Sequence, residues 1–126
     1  MTRIACAFAC FLLAACAPEV VRRDSALMLP STVAYYTVAS PLSVRLDSGY
    51  SRTLAAGVRL ADAGMIPEGR VLKPVSTVFT VEGTHQHEAY LVERSGRLVG
   101  FYLPVERAFS PLSESVPIQL QGESQK

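Results

Sequence analysis

The chain has 126 residues, with 12 Lys and Arg against 11 Asp and Glu and a formal net charge of +1. That length suffices for one small domain around a single core. The charges are interspersed, with no basic run beyond Arg22-Arg23, which speaks against a nucleic-acid partner.

The first element is a targeting segment. Arg3 precedes an apolar run over residues 4–15, the build of a secretory signal. The run is shorter than the ~20 apolar residues of a membrane-spanning helix, and no later segment approaches that length. It ends in Leu13-Ala14-Ala15-Cys16. This resembles the lipobox of bacterial lipoproteins, which places a Leu three residues before a Cys with small residues between. The resemblance covers residues 1–16 alone. It implies cleavage between Ala15 and Cys16 and acylation of Cys16, with residues 1–15 removed as the signal. Ala17 stands where Asp would favour inner-membrane retention, so the resemblance implies the inner leaflet of the outer membrane, facing the periplasm. Several acyl chains hold a protein stably where one does so marginally.

The three cysteines are Cys6, Cys10 and Cys16. The first two leave with the signal and the third carries lipid, so the mature chain is expected to have neither a disulfide nor a free thiol. Residues 17–31 have prolines at both ends of the stretch and no clean period, and read as a tether behind lipidated Cys16, reaching ~50 Å if extended. Arg22-Arg23 read as a solvated pair within it.

From residue 32 to 121 the signals are those of strands. Residues 31–38 are rich in β-branched and aromatic side chains, with Ala34, Tyr36 and Val38 on one face and Val33, Tyr35 and Thr37 on the other. Residues 42–46 alternate, Leu42, Val44 and Leu46 inward. Asp47-Ser48-Gly49-Tyr50 is a turn. Residues 51–64 fit helix and strand alike, and a strand over 58–61 is preferred. Pro67 opens a turn before a strand at 70–73. Another strand is read at 76–82, with Phe79 and Val81 on one face.

The clearest unit is a hairpin, 88–93 and 97–103, around Arg94-Ser95-Gly96. Gly96 supplies the positive φ of a tight turn. Val99, Phe101 and Leu103 are expected to share a face, and Gly100 marks a bulge or a close backbone approach. Residues 105–109 read as a short helical turn, 116–120 as a last strand, and 122–126 as a frayed polar tail. The expected fold is mainly β: a small single-domain barrel or sandwich, similar in strand order to an SH3-like barrel.

Both histidines, His85 and His87, lie two apart before the hairpin. In an extended chain they share a face, and imidazoles so placed suit Zn²⁺ or Cu²⁺. Glu82 is the nearest further oxygen ligand, but no third ligand has convincing spacing. A polar loop over 83–86 is the plainer reading. No Gly-x-Ser-x-Gly, Walker loop or dinucleotide fingerprint occurs, and no carboxylate dyad is tied by spacing. Tyr90 and Tyr102 can pair across the hairpin and offer an apolar body with a polar tip for an interface. The sequence therefore points to a lipoprotein with a binding or accessory domain, not an enzyme, with no cofactor. Its expected partners are the membrane, through Cys16, and envelope proteins of a secretion or conjugation apparatus, or peptidoglycan. The alternative is a periplasmic metal-binding or small enzymatic domain using His85 and His87.

Overall fold

The computed structural model describes residues 19–83 and 85–123, and among these every regular element is a strand. In chain order they are β1 (Arg23–Asp24), β2 (Tyr35–Val38), β3 (Leu42–Arg45), β4 (Ser51–Leu54), β5 (Arg59–Ile66) and β6 (Gly69–Pro74). Then come β7 (Thr80–Glu82), β8 (Gln86–Glu88), β9 (Tyr90–Arg94), β10 (Arg97–Leu103), β11 (Ala108–Pro117) and β12 (Leu120–Gly122). The mainly β, single-domain expectation is met. The signal, Ala15 and Cys16 lie outside the described residues.

Eight strands form one antiparallel sheet in the order β1-β11-β10-β9-β6-β5-β2-β12. The hairpin β9–β10 is at its middle. Its turn, Ser95-Gly96, has φ of 53° and 77°, and Arg94 pairs with Arg97. Positive φ at both central residues is the mirror-image turn whose twist matches paired strands. The last stretch of chain serves both sides of the sheet. β11 pairs with β10, and a few residues later β12 pairs with β2. The sheet therefore curls, and its inner face receives two separate hairpins, β3–β4 and β7–β8.

Alternation along the strands splits their side chains between two clusters. The inner cluster holds Val38, Leu60, Leu72, Leu91, Phe101 and Leu103 from the sheet, with Val44 and Leu54 from one hairpin and Val81 from the other. Phe79 stacks on Phe101 at 5.5 Å between ring centroids. The outer cluster holds the intervening residues Val71, Val92, Tyr102 and Phe109, with Ile66.

Gly100 resolves one expectation and corrects another. The register shifts between Leu98 and Gly100 against both neighbouring strands. A Cβ on Gly100 would lie 2.6 Å from the Phe109 ring and against the Ser110 carbonyl, so the backbones approach closely there. The bulge breaks the two-residue alternation. Val99 consequently packs with the outer cluster, while Leu98 joins Phe101 and Leu103 inside. The simple alternation that placed Val99 with Phe101 does not hold across a bulge.

The ends of the domain also differ from the expectation. Of the segment read as a tether, residues 19–31 lie along the domain. Val20 is buried in the inner cluster, β1 pairs with β11, and Leu27 packs on the outer cluster. Met28 and Met65 exchange backbone hydrogen bonds of 2.8 and 2.9 Å. Gly64 makes this strap possible, since a Cβ there would strike the Met28 carbonyl. At the other end Gly122 belongs to β12, and Glu123 is fastened rather than frayed. Its backbone N–H donates to Tyr35 O at 2.9 Å, and its carboxylate takes two bonds from Arg59 at 2.8 and 2.9 Å. Residues 104–107 form a turn, with no helix, between β10 and β11.

Candidate functional site

The two histidines part company in the structure. His85 is exposed, next to β8. His87 sits inside β8 opposite Val81 and is 7% exposed. Burial of its ring depends on two carboxylates far away in sequence. Nδ1 lies 2.7 Å from Glu106 Oε1 and Nε2 lies 3.2 Å from Glu19 Oε1. A neutral imidazole donates from one nitrogen only, so the tautomer decides which carboxylate takes the ring N–H. The result is a carboxylate–imidazole–carboxylate clasp joining the strap, β8 and the turn between β10 and β11.

Charge on the two glutamates follows from that clasp. The His87 hydrogen bond is the main cause that holds the Glu19 carboxyl below its ordinary range; burial opposes it, and the Val20 N–H and the nearby His85 and His87 add to it. At Glu106 burial acts first and pushes the carboxyl up. The His87 hydrogen bond, a backbone N–H and the charges of His87 and Arg22 outweigh it, so the net direction is down. Glu106 Oε2 is buried without a hydrogen-bond partner among the described residues. Arg22 stands 3.6 Å from Glu19.

Glu82, the third ligand considered for a metal, is committed elsewhere. Arg52 binds its carboxylate and the Thr80 carbonyl, and Gln86 also reaches it. Arg52 thereby ties hairpin β3–β4 to hairpin β7–β8. Among the described residues no group of three or more His, Cys, Asp or Glu is arranged to hold a metal ion. The arrangement at His87 is suited to fastening chain segments through charge-assisted hydrogen bonds.

Tyr90 and Tyr102 do pair directly across the hairpin, at 6.4 Å between ring centroids and 40° between planes. Their exposure separates them. Tyr102 is 4% exposed and supports the sheet from within the outer cluster. Tyr90 is half-buried, carries Lys73 at 5.7 Å over its ring, and borders a surface groove of about 480 Å³ with Ser76, Val78 and Phe79. On the other side of the same loop a second groove, about 370 Å³, runs between β4 and residues 77–80. Val78, 70% exposed, stands between the two. A crevice beside Val20 measures about 20 Å³, room for one water and no organic ligand.

No family model, curated protein or solved structure matches the chain. The clasp and the grooved loop were not legible as sites in the sequence. The partners of His87 are 68 and 19 residues away, and nothing local marks Val78 as a ridge.

Proposed function

We propose that this chain is a bacterial lipoprotein, acylated on Cys16, whose β-domain is a binding or accessory module of an envelope assembly. The reading is carried by Leu13-Ala14-Ala15-Cys16 at the end of a signal-like apolar run. It places the domain on the inner leaflet of the outer membrane, facing the periplasm. The partner is a component of a secretion or conjugation apparatus, or peptidoglycan. Val78 and Tyr90, at a groove rimmed by a cation and an aromatic ring, are the surface that fits such a role; Tyr102 packs beside Tyr90 on the neighbouring strand.

Two measurements test the proposal separately. Cys16→Ser should abolish metabolic labelling with a fatty acid, and label that persists refutes the anchor. A photocrosslinking residue in place of Val78 should trap a discrete envelope protein or peptidoglycan in intact cells. A domain that remains uncrosslinked there, and does not sediment with isolated peptidoglycan, refutes the binding role.

A further inference from the structure

The strap changes what an anchor at Cys16 would do, and we infer that the end of the domain bearing Val105 lies directly against the bilayer. The inference rests on the lipoprotein reading above. It uses a length and three points of attachment. Glu19 is held by His87, Val20 is buried in the inner cluster, and Arg23 and Asp24 pair with Phe109 and Ala108. Cys16 precedes Glu19 by three residues, which span roughly 10 Å at full extension. A lipid on Cys16 therefore holds Glu19 at the membrane surface, with none of the ~50 Å of free play that an unpacked segment over residues 17–31 would give.

The same clasp decides which end faces the lipid. Glu106, the second carboxylate on His87, belongs to the turn between β10 and β11. The Ser25 N–H also donates to Arg107 O in that turn at 3.2 Å. The Glu19 carboxylate, three residues after Cys16, is thus one imidazole ring away from Glu106 of the turn. The tip of the turn, Val105, is 78% exposed, and Val21 on the strap is 63% exposed. An exposed Val at the apex of a polar turn has no packing role, and it suits insertion among lipid headgroups. Arg22 and Arg107, also at this end, can face phosphates. Glu19 and Asp24 are exposed acids on the same strap, so the contact relies on Val105 and the short leash more than on net charge. The opposite end of β10 leads into the Ser95-Gly96 turn, seven strand residues or about 23 Å away. The grooved face near Val78 is left free for a partner.

The test uses the lipidated full chain in vesicles of phosphatidylethanolamine and phosphatidylglycerol. With Cys16 acylated, a cysteine introduced by Val105→Cys or by Ser95→Cys is the single free thiol, and each is labelled with an environment-sensitive fluorophore. A quencher carried on the lipid headgroup should quench the probe at 105 several-fold more than the probe at 95. Equal quenching at the two positions, with the fatty-acid label on Cys16 intact, overturns the inference and leaves the anchor standing. Absence of the fatty-acid label overturns the anchor and this inference with it.

Discussion

At the scale of single residues, His87 and Gly100 are the positions where a small change should cost this fold most. His87→Gln keeps a polar side chain but removes the two ring nitrogens that face Glu106 and Glu19. It should cost about 0.5–1.5 kcal/mol, the range for a typical intramolecular hydrogen bond, because Glu19 is half exposed and Glu106 only partly covered. Urea unfolding reads that loss, and an unchanged midpoint would mean the clasp contributes nothing. The pH dependence has a definite sign. Glu19, Glu106 and, through its hydrogen bond with Arg59, Glu123 are all held below the ordinary value of 4.5. Below that value the unfolded chain takes up protons that the native state refuses. The stability contributed by these carboxylates is therefore present at neutral pH and is lost as pH falls through their native values. In His87→Gln the acid limb of the melting-temperature profile should be shallower, with the Glu123 share remaining; an identical limb in both proteins would contradict this. Gly100→Ala presses a methyl on the Phe109 ring and the Ser110 carbonyl. A loss of about 1–3 kcal/mol or more is expected, measured by the same unfolding, because a tight backbone contact cannot relax as a side chain does.

At the scale of elements, what was legible depended on how local the instructions are. Strands β9 and β10 carry their own alternation and their own turn, so the hairpin is legible over residues 90–103; Glu88, expected in the same strand, instead belongs to β8 and pairs with Thr80. β3 was readable for the same reason: Leu42, Val44 and Leu46 all face the inner cluster. β4 was missed because Ser51, Arg52 and Thr53 point no apolar pattern inward and only Leu54 is buried. Only the end of β11 was found, since Ser110, Pro111, Ser113, Glu114 and Ser115 obscure a strand that is specified by its partner β10. The strap looks like a tether in sequence because it touches the domain at isolated residues and so has no period. These differences have an energetic counterpart. The two-stranded hairpins β3–β4 and β7–β8 are joined to each other by Arg52, with no backbone ladder between them. Native-state hydrogen exchange should show their amides opening at lower free energy than those of β6, β9 and β10. Uniform protection across all of them would show that the hairpins unfold only with the sheet.

At the scale of the whole molecule, the question is where the folded unit begins. Composition places that boundary near residue 32, whereas packing carries the folded unit back at least as far as Glu19, the first described residue. The outer face of the sheet decides between them. Val71, Val92, Tyr102 and Phe109 form an apolar cluster on the side away from the inner core. Leu27 covers part of it, Arg23 lies 5.1 Å above the Phe109 ring, and Met28 bridges to Met65. Removing the strap also withdraws Val20 from the inner cluster. Fully burying a side chain of the size of Val or Leu stabilises by about 1.5–3 kcal/mol, so losing buried Val20 and the partly buried Leu27 together should take a measurable part of a small domain's stability. A chain begun at Glu19 should therefore melt in one cooperative step. A chain begun at Thr32 should melt well below it, at the same pH and concentration, and should bind a hydrophobic dye on its uncovered sheet. Matching melting curves would show that the strap merely lies on the domain, and would remove the short leash on which the membrane orientation depends.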